Sequence, residues 1–287
     1  MPVVHLEDRA LLTVSGDEAE HFLQNLITAD LSTLKDGEAR SAALLSPQGK
    51  ILFDFLVSRA GEGAFRLECR ADVVYDFLRR LMLYRLRAKV GITREPAAAV
   101  AVIWEPEGVA PDERQWLSDS RFSGTVIRRY DLPLPEADAG IQDWNTYRIA
   151  SGIAESGTDY ALGDAFPHDA LLDQVGDIGF QKGCYVGQEV VSRMQHRGTA
   201  RRRVLIAHGE GPLPAPGAEI TAGGRAVGTL GSVSGNDGLA IVRIDRVKDA
   251  VDRGEPVTAG DVAIGLAIPE WAKFTYPQSA DVGSGSA

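Results

Sequence analysis

Phe180-Gln181-Lys182-Gly183-Cys184-Tyr185-Val186-Gly187-Gln188-Glu189 is the stretch on which the reading of this chain turns. Gly183 and Gly187 bracket a turn in which the backbone can approach another group closely. Residues 188–194 hold no helix breaker, and their composition predicts a helix. Cys184 then stands just ahead of a helix N-terminus, with Lys182 two residues away. Both the helix dipole and a nearby cation favour thiolate over thiol. Tyr185 offers a ring face and a phenolic hydroxyl, while Gln188 and Glu189 offer directional hydrogen bonds. A cysteine beside a tyrosine in a glycine-rich turn is also an ordinary small packed residue. On these residues alone both readings stay open.

Working outward toward the N-terminus, the chain alternates between strand and helix patterns. Residues 11–14 are a short apolar run. Ser15 followed three residues later by Glu18 forms a capping-box pattern, and Phe22, Leu23 and Leu26 share the helical face behind it. Residues 42–45 and 51–57 flank Pro47-Gln48-Gly49, a tight turn in which proline presets φ and glycine supplies its positive value. Phe65, Leu67 and Cys69 alternate with Arg66 and Glu68 as in a half-buried strand. Over residues 72–83, Val73, Val74, Phe77, Leu78 and Leu81 follow helical spacing. Leu86, Ala88, Val90 and Ile92 then alternate with Arg85, Arg87 and Lys89, which predicts a strand with one basic face. Residues 100–104 continue the strand pattern, Leu132-Pro133-Leu134-Pro135 interrupts it, and residues 141–149 read as helix. Such alternation predicts an α+β sheet layered with helices.

Beyond Arg203 the texture changes. Short apolar runs at 204–207, 226–230 and 239–244 are separated by Gly223-Gly224 and Asn236-Asp237-Gly238, the signature of a small all-β barrel or sandwich. Residues 277–287 are rich in Ser, Gly and Ala and read as a mobile tail.

A length of 287 residues exceeds what one ordinary core organises, and 44% hydrophobic with 24% charged residues is a globular balance. Thirty Lys and Arg against 40 Asp and Glu give a net charge of −10, which argues against broad binding to nucleic acid or anionic lipid. Two cysteines, Cys69 and Cys184, exclude a disulfide framework and point to a reducing compartment. They also cannot complete a four-ligand zinc or iron–sulfur site by themselves, so no resident metal is expected. Glu7 and Asp8 stand where a targeting signal needs basic and apolar residues. The longest apolar run, 97–104, is too short to cross a bilayer. A cytoplasmic protein is expected.

Lys182-Gly183-Cys184-Tyr185-Val186-Gly187-Gln188-Glu189 matches the signature K-G-C-[FYW]-x-G-Q-E, through which the chain resembles the YgfZ family of folate-binding proteins related to the glycine-cleavage T-protein. Phe22-Leu23-Gln24-Asn25-Leu26-Ile27-Thr28-Ala29-Asp30 and Leu45-Ser46-Pro47-Gln48-Gly49-Lys50 resemble that family's opening and hairpin elements. Arg148-Ile149 with Gly152-Ile153, Phe166-Pro167-His168-Asp169 and Pro269-Glu270-Trp271 resemble three later ones. The resemblance implies a T-protein-like ring. Two interlocked α+β lobes span residues 1–203, a C-terminal β-barrel spans 204–276, and a tail spans 277–287. It further implies tetrahydrofolate in the central opening and a role in iron–sulfur cluster assembly or repair, with clients that include tRNA-modifying radical enzymes. The family's functional positions carry over to Lys182 and Cys184 as the reactive pair. Tyr185, Gln188, Glu189, Arg148 and Arg193 carry over as folate-binding residues. Implied partners are cluster-assembly proteins or client enzymes, and any cluster on Cys184 is transient and shared with one of them. The resemblance points to an accessory protein rather than a catalyst.

Three alternatives compete. A folate-dependent aminomethyltransferase resembling the T-protein would usually carry R-x-E-x-G where this chain has Arg148-Ile149-Ala150-Ser151-Gly152. Ala150 thus replaces a carboxylate suited to the amino-pyrimidine edge of a pterin. Asp72 and Asp76 fall roughly where such enzymes place a second acid, although exposed helix residues explain both. A cysteine hydrolase would need a general base, with His168 and His196 nearest in sequence, and neither spacing signals a dyad. A nucleic-acid module would use Arg79, Arg80, Arg85, Arg87 and Lys89, or the arginines between Arg193 and Arg203. The net charge favours a short anion such as a polyglutamyl folate tail over a long polyanion.

Overall fold

Nine strands form one sheet in a computed structural model that describes residues 1–95, 100–105, 116–130 and 132–277. In chain order they are β1 (Val3–Leu6), β2 (Arg9–Ser15), β3 (Glu38–Leu45), β4 (Ile51–Arg59), β5 (Ala64–Arg70), β6 (Gly91–Arg94), β7 (Val100–Trp104), β8 (Leu117–Asp119) and β9 (Val126–Arg129). Across the sheet their order is β1-β7-β9-β8-β3-β4-β5-β2-β6. Neighbours are antiparallel except β8 and β3, where Ser118 and Asp119 pair in parallel with Glu38 and Ala39. That short parallel step joins two antiparallel halves. The halves interlock because β1 belongs to one and β2, two residues later, to the other.

Helices cover the sheet where the apolar spacing turns helical. Helix α1 (Ala19–Gln24) buries Phe22 and Leu23, and α2 (Val74–Arg85) buries Val74, Phe77 and Leu81. The Phe77 ring lies 4.9 Å from Phe53 and 4.8 Å from Phe55, both on β4. Helix α3 (Ile141–Ala150) packs Trp144 between Trp104 and Phe122, at 5.6 and 5.5 Å, on the other half. Helix α4 (Gln188–Arg197) follows the cysteine motif. The remaining strands are β10 (Arg202–Gly209), β11 (Glu219–Ala222), β12 (Arg225–Ser234), β13 (Asp237–Arg243), β14 (Val257–Ala259) and β15 (Val262–Ala267). They close into a barrel in the order β10-β13-β12-β11-β14-β15. Helix α5 (Ile244–Asp252) interrupts the strand series, and its Ile244, Val247 and Ala250 enter the barrel core.

The two half-sheets share a buried chain of charge. Arg128 on β9 donates to Glu68 of β5 at 2.5 Å and to Asp119 of β8 at 2.8 Å, and all three are fully or almost fully buried. Tyr130 donates to the second Glu68 oxygen at 2.8 Å, and Arg121 donates to both oxygens of Asp119. The chain continues through Arg9, 2.6 Å from Glu155, to Arg148, which donates to Asp159 at 2.8 Å. Asp159 also accepts from the Ser232 amide at 2.7 Å, so the network reaches the barrel at β12. Burial alone would raise the carboxyl of Glu155, but Arg9, Arg148 and Arg121 outweigh it and hold it at about 2. Asp119 is likewise held below its usual range by Arg121 and Arg128 against the effect of burial. A depressed carboxylate stabilises the fold above its unfolded value, 4.5 for Glu155, and loses that contribution as pH falls through about 2.

Several sequence expectations change. The Ser15–Glu18 capping box does not form, because α1 starts at Ala19 with Glu18 as its N-cap, and the Glu18 carboxylate accepts from the Lys89 amide. The strand expected from Leu86 to Ile92 is shorter. Helix α2 runs through Arg85, turn hydrogen bonds occupy Ala88 and Val90, and only Gly91–Arg94 pairs with β2. Glu68, read as a solvent-facing strand position, is 2% exposed because it meets Arg128. Helix α5 was hidden within the barrel run. Residues 97–99 of the longest apolar stretch and 278–287 of the expected tail lie outside the described residues. No helix among those described is long and apolar enough to cross a membrane.

Removing Arg128 leaves two buried carboxylates without their cation. Arg128→Ala should therefore cost about 3–5 kcal/mol in urea unfolding at pH 7. A loss below about 1 kcal/mol would mean that the network is a bystander to the joining of the half-sheets.

Candidate functional site

The cysteine motif is a loop held on three sides. At its start, the Gly179 amide donates to the Thr28 carbonyl at 2.9 Å, and Lys182 Nζ donates to the carbonyls of Ile27 and Ala29, both at 2.7 Å. Those carbonyls belong to a turn that its own side chains fix. Gln24 donates to Asp30, Asp30 caps the short 3-10 turn Leu31–Thr33, and Thr28 Oγ1 accepts from the Ala43 amide. The segment 22–30 thus serves as the receptacle of Lys182. Burial pushes the Lys182 ammonium down to about 8 against the pull of Asp30, and its Nζ lies 5.0 Å from the centre of the Tyr185 ring.

At its far end the loop meets the β3–β4 hairpin. Gly187 has φ +81, and a Cβ on it would lie 2.5 Å from the Ser46 carbonyl oxygen and 3.0 Å from Leu45 Cβ. A Cβ on Gly49 in the hairpin turn would lie 2.9 Å from Val190 Cβ. The third anchor is burial. Tyr185 and Val191 belong to one core with Leu45, Ile51 and the barrel residues Val204 and Ile241. Gly183 differs from Gly187, since no atom of the described residues lies within 4 Å of where its Cβ would be.

Between these anchors Cys184 is exposed, whereas Cys69 is fully buried and burial pushes its thiol up to about 12. A shallow depression is lined by Cys184, Tyr185, Gln188, Glu189, Arg193 and His196. The structure therefore brings five of the seven sequence-chosen residues to one place. Lys182 is not among the lining residues and holds the loop through the carbonyls of Ile27 and Ala29. The Tyr185 hydroxyl is buried without a hydrogen-bond partner among the described residues, and burial raises it to about 12. Glu189 and Arg193 pair with each other one helical turn apart, at 2.6 Å.

Arg148 lies elsewhere, in a polar cavity of about 460 Å3 whose walls include Arg9, Trp144, Glu155 and Ser232. Ligand cavities commonly span about 300–1,000 Å3. A narrower space of about 40 Å3, lined among others by Ser41, Asp54 and Tyr160, adjoins it and shares Arg9 and Glu155. Three buried polar atoms of the larger cavity's wall have no hydrogen-bond partner: Arg9 Nε, Arg148 Nε and Glu155 Oε1. Glu155 Oε1 is in charge contact with Arg9 without hydrogen-bond alignment. The two nitrogens also stand in charge contacts, Arg9 Nε 3.7 Å from Glu68 and Arg148 Nε 3.8 Å from Glu155, so the wall carries two guanidinium groups and a carboxylate side by side. Arg9 and Glu155 escaped the sequence reading. Glu155 follows Arg148-Ile149-x-x-Gly152-Ile153 closely, but nothing local marks it as buried.

Other candidates resolve into structure. Asp72 pairs with Arg70, and exposed Asp76 lies 3.4 Å from Arg79. His168 is buried and bonded to Gln195, away from Cys184, while His196 shares the depression with the thiol. The arginine run at 201–203 is partly neutralised from the segment before the motif. Arg202 meets Asp164 and Asp169, and buried Arg203 meets Asp173 at 2.5 Å.

Comparison with known proteins follows the same outline. Residues 5–102 match the family described as the GCVT N-terminal domain, and residues 201–274 match the CAF17 C-terminal beta-barrel domain. The iron-sulfur cluster assembly factor IBA57, mitochondrial, of Mus musculus is 30% identical, over 93% of this chain and 84% of its own length. The chain belongs to the IBA57 family. The Homo sapiens member is 29% identical over the same shares of the two chains. Among solved structures, the glycine cleavage system aminomethyltransferase T of Bartonella henselae superposes with a TM-score of 0.75 over 96% of this chain and 87% of its own. At 17% identity that likeness shows the fold alone, a T-protein-like α+β fold carrying a C-terminal closed barrel.

The two motif glycines separate experimentally. Gly187→Ala should lower stability by about 2 kcal/mol, from a left-handed backbone plus the clash with Ser46. Gly183→Ala should leave the melting temperature within about 1 °C, as expected for a site in open space. Equal effects in thermal unfolding would contradict the docking of the hairpin on the motif.

Proposed function

We propose that this chain is an accessory protein of iron–sulfur cluster assembly or repair of the YgfZ type, acting through Cys184, and that it binds tetrahydrofolate. The observation that carries the reading is an exposed thiol on a loop whose neighbours on both sides are pinned. A side chain kept only for packing would be turned inward, as Cys69 is. Membership of the IBA57 family supplies the cluster context, since the relatives are named as cluster assembly factors.

A cluster is cargo here. One thiolate is one ligand, so the remaining ligands come from a partner protein, either an assembly protein or a client enzyme. The pinned loop presents the sulfur at a fixed position while leaving one side open for that partner. Lys182 acts as a positioning residue, and Gln188, Glu189, Arg193 and His196 surround the thiol with groups able to hydrogen-bond to cluster sulfides or to the partner's backbone.

For the folate, Glu155 supplies the carboxylate that Ala150 lacks, and Arg9 and Arg148 supply donors on the same wall. The T-protein-like fold is consistent with this placement. Bound tetrahydrofolate would supply a reduced pterin able to carry a one-carbon unit. The arginines and Glu155 would hold and orient it, and the narrow inner space limits how deeply it enters.

Two measurements test the two halves separately. Cys184→Ala should fold normally and fail to restore cluster-enzyme activity in cells lacking the protein, and full restoration would end the proposed role of the thiol. Calorimetric titration with tetrahydrofolate should give binding that Glu155→Gln weakens about tenfold, in line with one lost charged hydrogen bond. No heat at high micromolar ligand would remove folate from the account and leave the thiol reading standing.

A further inference from the structure

Helix α2 carries two apolar faces, one packed into the core and one exposed, on which only Tyr75 is engaged among the described residues: Arg94 lies over its ring and donates to its hydroxyl at 2.7 Å. Val74, Phe77 and Leu81 pack into the core. On the opposite side Tyr75, Met82 and Leu83 are 62%, 42% and 65% exposed, and Leu86, just past the helix end, is 87% exposed. Positions 75, 79, 82 and 83 fall at helical spacings of three, four and seven residues, which lines them up along one stripe, and Leu86 stands just past the helix end. Isolated exposed apolar residues are unremarkable, whereas Tyr75, Met82 and Leu83 aligned on one face mark a contact surface.

Leu86 adds a second, independent observation. Its φ is +43 and its ψ −104, a backbone region that costs a leucine energy and that glycine enters freely. The position after a helix is where glycine is the ordinary choice. Here a leucine accepts the strain with its side chain almost wholly in water. Nothing in the packing of the fold uses that side chain, and strain kept without structural return marks functional positions.

Charge says what the stripe meets. Arg79, Arg80 and Arg87 are exposed beside it, and Lys89 follows. Among the described residues the acids at this helix are Asp72 and Asp76, each facing an arginine. A local excess of cations on a chain of net charge −10 is suited to a partner carrying carboxylates. The exposed apolar surface is a single helix face, which suits a segment of chain better than the plane of a bilayer.

We infer that the outer face of α2, from Tyr75 to Leu86, docks an acidic amphipathic helix of a partner protein, with Leu83 and Leu86 as apolar anchors and the arginines around them reading carboxylates. This surface is distinct from the cysteine depression and does not rest on the folate or cluster reading.

The probe is a synthetic amphipathic helical peptide with leucines on one face and glutamates on the other. Its control is the same peptide with lysines replacing the glutamates. Fluorescence anisotropy with the full chain should show micromolar binding of the glutamate peptide. The triple variant Arg79→Glu, Arg80→Glu, Arg87→Glu should weaken it at least tenfold, with loss of salt sensitivity. Leu83→Ala with Leu86→Gly should weaken it at least fivefold, with a melting temperature equal to or above that of the unaltered chain because the strain at residue 86 is relieved. Failure to bind, equal binding of the lysine peptide, or indifference to both variants would overturn the inference. So would preferential binding to vesicles of phosphatidylcholine and phosphatidylglycerol, or self-association through this face in a sedimentation experiment.

Discussion

Arg128 is the point on which the rest of the molecule leans. One guanidinium, fully withdrawn from water, bridges a carboxylate on each of two half-sheets that pair with each other, among the described residues, through one short parallel step. Burying a charge is costly unless its partners are also in place, so the network forms as a unit or not at all. Its extension through Arg9, Glu155, Arg148 and Asp159 carries the same demand to α3 and to the barrel. The cavity wall is built from this network. Its arginines and Glu155 are therefore oriented by the fold before any ligand arrives, which removes part of the ordering cost of binding.

The cysteine loop obeys a different constraint. Its position comes from one ammonium on two backbone carbonyls and one glycine pressed on a hairpin. Both anchors use backbone atoms of elements that are distant in sequence, so the thiol is placed by main-chain geometry more than by its side-chain neighbours. That arrangement leaves the surface around the sulfur free to be polar and exposed. The same segment joins the barrel to the sheet through the shared core of Tyr185, Val191, Leu45 and Ile241. Displacing the barrel would disturb the loop.

Much of this could be read from local pattern. The hairpin at Pro47-Gln48-Gly49, helices α2 and α3, the glycine-punctuated barrel strands and the motif helix each announce themselves within ten or so residues, because turn chemistry and apolar periodicity are short-range signals. What escaped was long-range. Glu68 and Arg128 are 60 residues apart, and each looks like a surface residue until the sheet brings them together. Glu155 is buried by the same assembly. The error at Leu86 has another origin. A helix end followed by an irregular turn happens to alternate apolar and basic residues, and alternation alone cannot separate that from a strand. Arg202 and Arg203 looked like a basic cluster because their acids, Asp164, Asp169 and Asp173, come earlier in the chain with the motif in between.

The contrast between the two cysteines has a consequence for chemistry with oxidants. Cys69 is sealed in the core with its thiol held protonated, so it cannot serve as a resolving partner for Cys184. The molecule is therefore monovalent in sulfur. It cannot close a disulfide on itself, and any disulfide that Cys184 forms joins it to another molecule, whether glutathione, a second copy or a client. The fate of an oxidised chain is thus set by which thiols surround it and at what concentration, not by its own fold.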